Sequence, residues 1–322
     1  MRRIRIITPY FLLSFALAPT LALAQDTQPG PLLIGTAGPS AHATATDKSD
    51  LRVNVNMTLV PVTVLDSMGR SVTGLTPENF RVFDNKQPVS IASFARQDQP
   101  IAVGLIFDCS RSMADKFKTE REAPAELFRQ LGPSDESFLI TVSDRAVLRT
   151  ALTTDLGLVA NSLVFSHPRG TTPLLDGIQM GLHELQKSHL ARKALIVVSD
   201  GGDNNSRYTL HEIEEMVAES NAQIFTVLLY NNPQAPEELL GPDLMAHLAA
   251  KSGGVNFTIN NMADIHQTMT KIGISLHNQY LLGYYMPDDS HSGQYRRITV
   301  QLLLPRGVPR LILRAREGYY AP

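Results

Sequence analysis

The order of apolar and polar positions divides the chain into a β region, a region of buried strands and helices, and a second β region. Between Leu51 and Val60, apolar and polar residues alternate, which predicts a half-buried strand. Three later runs, at 101–107, 194–198 and 224–229, are almost entirely apolar, as expected for strands that helices cover on both faces. Helical patterns separate these runs. We therefore predict an α/β fold with a doubly wound, mostly parallel sheet.

The two flanking β regions have a common explanation. We expect residues 51–96 and 280–322 to pair into one small β-sandwich-like domain, with the α/β domain, 97–279, inserted between them. Three strands alone are marginally stable, so two independent β modules are the weaker alternative. Within the α/β domain, the first apolar strand leads into a predicted helix over residues 113–131.

The N-terminal segment differs from the rest of the chain. Residues 1–24 combine three arginines, a short apolar run and a final Ala22-Leu23-Ala24, which is typical of a secretory signal peptide. A membrane anchor is the alternative, but Pro9 and Pro19 interrupt the apolar run. Residues 25–50 are rich in Gly, Pro, Ala, Ser and Thr and predict a flexible linker. We expect an exported protein, periplasmic or extracellular, with no stable membrane span after signal cleavage.

Composition narrows the possible functions. The 322 residues include 29 Lys and Arg against 31 Asp and Glu, and this near-neutral balance argues against a nucleic-acid partner. The single cysteine excludes an intramolecular disulfide framework and a zinc site built from several thiolates. Loss of the predicted signal peptide removes three arginines, so the mature chain is mildly acidic.

Candidate chemistry follows the ends of two apolar strands. Asp108, Ser110 and Ser112 come directly after the first strand, and Asp200 follows the second. Thr172 lies in a loop that precedes a predicted helix. Carboxyl ends of parallel strands share one edge of a sheet, so we expect these side chains to lie together. They offer only oxygen donors, which suits Mg²⁺ best, or another divalent cation such as Mn²⁺ or Ca²⁺. With few charged ligands, such an ion would bind an external carboxylate.

Three motifs resemble the metal-ion-dependent adhesion site of von Willebrand factor type A domains over about residues 97–279. They are Asp108-x-Ser110-x-Ser112, Gly170-Thr-Thr172-x-Leu174-x-Asp176, and Asp200-Gly201 after an apolar strand. The resemblance implies that Ser110, Ser112 and Thr172 bind the metal directly, while Asp108 and Asp200 act through water. The family often has Gly-Gly-Thr where this chain has Gly-Thr-Thr. Thr171 is therefore an alternative ligand, although the spacing to Leu174 and Asp176 favours Thr172.

The flanking β regions also resemble a subgroup of this family. The segments at 62–72, 75–80, 280–285 and 317–320 are similar to exported bacterial proteins called von Willebrand factor A-related, described from acidobacteria. This resemblance extends over most of the mature chain, and it implies no settled biochemical activity.

Three features near the candidate site have a structural interpretation as well as a functional one. Cys109 lacks an activating base, so we expect a buried spacer and not a nucleophile. Asp176 lies inside a predicted helix, and we expect a structural hydrogen-bonding role. The oxygen-rich loop at 200–206 either holds a second ion or forms a Gly/Asn turn, and the turn is favoured.

Together these patterns predict a non-enzymatic binding module that captures an acidic side chain of a protein partner through a divalent metal. One alternative is a structural component of an envelope assembly with an idle metal site. A weaker alternative is a metal-dependent hydrolase or phosphotransferase that uses Asp108 as nucleophile, since no additional acid or base is evident.

Overall fold

The secondary structure follows the predicted alternation of β and α/β regions. The computed structural model describes residues 57–96, 99–114, 116, 122–163, 168–230, 236–287, 292–305, 307 and 309–321. The predicted signal peptide (1–24) and linker (25–50) lie outside these residues and stay predictions. In chain order the strands are β1 (Met57–Leu65), β2 (Phe80–Asp84), β3 (Gln87–Val89), β4 (Ser93–Arg96), β5 (Ile101–Asp108), β6 (Glu136–Val142), β7 (Ala146–Thr153), β8 (Arg192–Ser199), β9 (Gln223–Leu229), β10 (Asn256–Ile259), β11 (Tyr280–Tyr285), β12 (Tyr295–Leu302), β13 (Ile312–Ala315) and β14 (Gly318–Tyr320). The helices are α1 (Pro124–Phe128), α2 (Leu156–Ser162), α3 (Leu174–Gln186), α4 (Leu210–Ser220), α5 (Pro236–Ser252) and α6 (Ile265–His277).

The central sheet has six strands in the order β10-β9-β8-β5-β6-β7. All neighbouring strands run parallel except β6 and β7, which pair antiparallel. This confirms the predicted doubly wound, mostly parallel sheet. From β5 the chain moves to β6 on one side and later crosses to β8 on the other, so the switch point lies between β5 and β8. Ligand sites of such sheets form at the carboxyl ends of these two strands.

Both faces of the central sheet are covered, which explains the almost entirely apolar strands. All eight residues of β5 are buried, and alternate side chains belong to different hydrophobic clusters. Leu105 and Phe107 pack in the cluster that includes residues of α1, α2 and α6. Ala102 and Ile106 pack in the other, with residues of α3, α4 and α5. The result is a three-layer arrangement with helices on each side of the sheet.

Strands from the leading and closing β regions pair with one another. β1 lies between β11 and β13 in a four-stranded sheet of order β13-β1-β11-β4, and β2 pairs with β12 in a second sheet of order β14-β12-β2-β3. All of these pairs are antiparallel. Val60 and Leu282 of the first sheet share a hydrophobic cluster with Phe80 and Ile298 of the second. The two sheets therefore form a sandwich, while the domain boundaries themselves stay predictions.

Two local expectations need revision. The predicted helix over 113–131 is wrong as a single element: the described residues there form a short 3-10 turn at Arg111–Met113 and the five-residue helix α1. Pro124 at the start of α1 lacks the amide hydrogen that a longer helix would need at that position. Helix α2 was not expected, because its short pattern follows directly after a strand. None of the helices among the described residues has the length and apolar character needed to cross a membrane.

Candidate metal site

The turn after β5 gathers the first group of oxygen atoms. The Ser110 backbone amide donates a hydrogen bond of 2.8 Å to Asp108 Oδ1, and the Ser110 and Ser112 hydroxyl oxygens lie 3.0 Å apart. Asp108 and Ser110 are buried, whereas Ser112 is exposed. The turn thus brings the hydroxyls of Ser110 and Ser112 together, and their role as metal ligands stays a prediction. Ser199, at the end of β8, donates from its hydroxyl to Asp108 Oδ2 at 2.6 Å.

Asp200 places a second carboxylate at the same edge. Its side chain is fully buried, and Lys116 Nζ donates to its Oδ2 at 3.3 Å. The other oxygen, Oδ1, has no hydrogen-bond partner among the described residues. A buried carboxylate oxygen without a partner is costly, so it needs a ligand or a compensating charge.

The two carboxylates influence each other. Burial and the charge of Asp200 raise the pKa of Asp108 to about 7, although hydrogen bonds from Ser199 and Ser110 act in the opposite direction. Two acidic groups held out of water at one edge favour a cation between them.

The loop that contains Thr172 is joined to the Asp108 turn through backbone hydrogen bonds. Arg111 N donates to Gly170 O at 3.2 Å, and Arg169 N donates to Cys109 O at 2.9 Å. Thr172 is buried and Thr171 is exposed. The burial of Thr172 beside this turn favours it over Thr171 as the oxygen donor, in agreement with the spacing argument.

Gly170 permits this close approach. Its φ is +73°, and a Cβ there would lie 1.9 Å from Asp144 Oδ1. A larger residue would be strained in this left-handed conformation, and the exposed Asp144 side chain would have to move aside, so glycine is favoured. Asp144, just beyond β6, is therefore a further carboxylate beside the loop, and nothing in the sequence pattern had indicated it.

The loop after Asp200 supports the Thr172 loop. Asp203 Oδ1 accepts hydrogen bonds from the amides of Leu174 (2.8 Å) and Leu175 (3.2 Å), and Asn204 Oδ1 accepts one from Thr172 N (2.8 Å). These side chains satisfy amides at the start of α3, as helix-capping residues do. The favoured interpretation of the 200–206 loop as a structural turn agrees with these contacts.

Asp176 and Cys109 have the structural roles expected of them. Asp176 Oδ1 accepts hydrogen bonds from the backbone amides of Arg207 (2.8 Å) and Tyr208 (3.3 Å), and its Oδ2 accepts one from Arg207 Nε (3.1 Å). Cys109 is buried in a hydrophobic cluster, with its thiol 3.8 Å from the Phe107 carbonyl oxygen. Neither residue is available to a ligand in this arrangement.

Residues 103–202 match the family model of the von Willebrand factor type A domain. This part of the chain is a von Willebrand factor type A (VWA) domain. The match runs from within β5 to the residues just after Asp200, so it includes every predicted site residue. No curated protein matches the chain. Its resemblance to the exported bacterial subgroup stays a prediction.

Solved structures agree with the fold. A von Willebrand factor type A protein from Catenulispora acidiphila has 12% identity and a TM-score of 0.50, covering 83% of this chain and 73% of its own. Proximal thread matrix protein 1 from the mussel byssus, solved with a zinc-occupied MIDAS motif, has 14% identity and a TM-score of 0.50. That match covers 61% of this chain and 50% of the mussel protein. At these identities the likeness concerns the fold alone.

The residues of the VWA domain fit a hard divalent cation. Asp108, Ser110, Ser112, Thr172 and Asp200 offer carboxylate and hydroxyl oxygens, and Asp200 Oδ1 lacks a protein partner among the described residues. Within that part of the chain there is no group of three or more His, Cys, Asp or Glu side chains that could hold a metal. A site with two carboxylates and several hydroxyls is a different kind of group, and it matches the few charged ligands that Mg²⁺ uses.

Sequence reasoning missed two contributors to this site. Ser199 bonds directly to Asp108, and Lys116 bonds directly to Asp200. Ser199 could have been found from its position next to Asp200 at the end of an apolar strand. Lys116 had no such signal, because its contact depends on how the chain turns after Met113.

Proposed function

We propose that the VWA domain is a binding module that holds a divalent cation at the carboxyl edge of its sheet and captures an acidic side chain of a protein partner. The observation that carries this proposal is the orphaned Asp200 Oδ1, buried at the same edge as Asp108 and the paired Ser110 and Ser112 hydroxyls. A bound divalent cation would supply a Lewis-acidic position at which an external carboxylate can bind. The protein would supply Ser110, Ser112 and Thr172 as neutral donors, with Asp108 and Asp200 as charged ones.

The surroundings of the site support an acidic partner. Arg111, Arg145 and Arg169 are exposed and lie in the loops at this edge, with Arg111 and Arg169 in the two loops that backbone hydrogen bonds join. Although the mature chain is predicted to be mildly acidic, these three guanidinium groups would favour approach of a carboxylate. Export and a periplasmic or extracellular location remain part of this proposal.

The alternative in which Asp108 acts as a nucleophile is disfavoured. Both of its carboxylate oxygens accept hydrogen bonds, from Ser110 N and Ser199 Oγ, and the side chain is fully buried. A nucleophile needs an oxygen directed at substrate. These contacts suit a residue that fixes the turn and contributes charge.

Titration calorimetry with Mg²⁺ tests the metal site. We expect the wild type to bind Mg²⁺ and Asp108→Asn to bind it at least about tenfold more weakly, because one of two charged donors is lost. The amide oxygen can accept from Ser110 N and the amide nitrogen can donate to Ser199 Oγ, so the fold should survive. Glu219→Gln, an exposed carboxylate on α4, is the matched control and should bind as the wild type does. Equal Mg²⁺ affinity in all three proteins would contradict the site assignment.

Retention on immobilised poly-aspartate tests the capture of acidic groups. The wild type should be retained in Mg²⁺ and released by a chelator, while Asp108→Asn should pass through in both conditions. Retention that does not respond to the chelator would show that binding depends on the arginines alone.

A further inference from the structure

Lys116 is a buried cation at the candidate metal site. Its side chain is 5% exposed, and its ammonium group donates to Asp200 Oδ2 at 3.3 Å and to the Leu229 carbonyl oxygen at 3.0 Å. Leu229 ends β9, the neighbour of β8, so Lys116 bridges the ends of two central strands. A buried ammonium group requires such partners, and here they hold it beside a proposed metal-binding carboxylate.

The charges of the site show what this contact does. Asp108 and Asp200 together could neutralise a divalent cation. With Lys116 beside Asp200, the same ion would remain in an environment of excess positive charge. A positive charge already held near a cation site weakens binding of a second cation and strengthens binding of an anion.

We propose that Lys116 is a built-in counter-cation that compensates Asp200 in the metal-free protein and lowers the affinity of the site for Mg²⁺, leaving a bound ion open to an acidic ligand. This inference rests on the proposed metal-dependent capture and concerns how that capture is tuned. It also explains how a fully buried Asp200 is tolerated when its Oδ1 has no partner among the described residues.

Lys116→Met tests the inference, because methionine keeps much of the apolar stem and removes the charge. We expect Mg²⁺ to bind the variant at least about tenfold more tightly than the wild type by calorimetry. In a chelator the variant should melt at a lower temperature than the wild type, and Mg²⁺ should raise its melting temperature by a larger amount. In saturating Mg²⁺, immobilised poly-aspartate should retain the variant several-fold less.

Lys187→Gln is the matched control. Lys187 follows the far end of α3, about 20 Å along the helix from Thr172, and its side chain is 54% exposed. The variant removes one positive charge without touching the site, so its Mg²⁺ affinity and retention should equal those of the wild type.

The outcomes separate this inference from the proposed function. If the wild type binds no Mg²⁺, the proposed function fails and the inference fails with it. If the wild type binds Mg²⁺ and Lys116→Met binds it equally well or more weakly, only the inference is overturned. If Lys116→Met folds only in Mg²⁺, the inference is supported. Failure to fold in Mg²⁺ as well would assign Lys116 a purely structural role and overturn it.

Discussion

Two buried clusters in this molecule, one around Asp84 and an edge cluster around Asp108 and Asp200, differ in whether every carboxylate oxygen has a hydrogen-bond partner. In the β sandwich, Asp84 Oδ1 accepts from Arg296 Nε at 2.7 Å, and Oδ2 accepts from Tyr284 (2.9 Å) and Tyr319 (2.8 Å). At the edge of the central sheet, Asp200 Oδ1 has no partner among the described residues. Both oxygens of Asp84 therefore have partners, whereas Lys116 compensates the charge of Asp200 through Oδ2 and leaves Oδ1 unsatisfied among the described residues. The edge cluster fits a role in binding an ion.

The chemistry of the partners reinforces this contrast. Burial, followed by the charges of neighbouring groups, raises the pKa of Tyr284, so this phenol remains a donor to Asp84. Arg296 is 2% exposed and provides a permanent positive charge. Around Asp108 the partners are hydroxyls and amides, and burial together with the charge of Asp200 raises the pKa of that carboxyl to about 7. The sandwich cluster therefore stabilises the fold by pairing opposite charges, whereas in the edge cluster the charge of Asp200 opposes ionisation of Asp108.

The largest expected effect comes from breaking the complete cluster. Asp84→Ala should lower the free energy of unfolding by about 3–5 kcal/mol, because Arg296, Tyr284 and Tyr319 would lose the buried carboxylate to which they donate. Urea denaturation of the wild type and the variant measures this loss. Glu219→Gln, on an exposed helical face, should change the free energy of unfolding by less than about 0.5 kcal/mol. A similarly small loss in Asp84→Ala would remove the distinction between the clusters.

The second prediction concerns how the stability of the protein, kept metal-free by a chelator, depends on pH through Asp108. The pKa of Asp108 rises from 3.8 to about 7 on folding, so the folded state binds this proton more tightly than the unfolded state. Its contribution to stability is therefore present below pH 4 and is lost as the pH rises through 7. We expect Asp108→Asn to remove this part of the pH dependence and to be more stable than the wild type at pH 8.

Denaturation curves at several pH values between 4 and 8 measure this effect. A wild type and variant with parallel pH profiles would show that repulsion between Asp108 and Asp200 contributes little. Addition of Mg²⁺ should stabilise the wild type, because the ion binds the folded state and not the unfolded state. The variant, which binds Mg²⁺ more weakly, should be almost unchanged.

A smaller effect is expected from a single hydrogen bond in the sandwich. Tyr319→Phe should lower the free energy of unfolding by about 1–2 kcal/mol, because one donor to a buried carboxylate is lost while Arg296 and Tyr284 remain. Tyr285→Phe is the control, since Tyr285 is 52% exposed. Thermal denaturation of both variants compares them, and equal losses would contradict the importance of the Asp84 cluster.

The two clusters also differ in how far they could be predicted. Asp108, Ser110 and Ser112 are close in sequence and follow a buried strand, so their grouping is visible from spacing alone. The VWA motif adds Thr172 and Asp200. Asp84, by contrast, meets Arg296 and Tyr319 only because β2, β12 and β14 pair in one sheet. Partners more than 200 positions apart leave no local pattern.

The same reasoning explains the errors within the VWA domain. The contact of Lys116 with Asp200 depends on a chain turn that the expected helix over 113–131 would have placed differently. Gly170 was noted as part of a motif, but its positive φ and its contact with Asp144, which approaches from another strand end, were not visible in the sequence. Sequence patterns locate strand ends well, but they do not show which side chains near different strand ends contact one another.

The most direct test of the account is the position at which a paramagnetic ion binds. Mn²⁺ added to isotopically labelled wild-type protein should broaden the amide resonances of Ser110, Ser112 and Thr172 first, and Asp108→Asn should weaken this broadening. The amide resonances of Val82 and Asp84 in the sandwich should remain sharp at the same Mn²⁺ concentration. Broadening centred on Asp84, or broadening unaffected by Asp108→Asn, would contradict the assignment of the metal to the incompletely satisfied cluster.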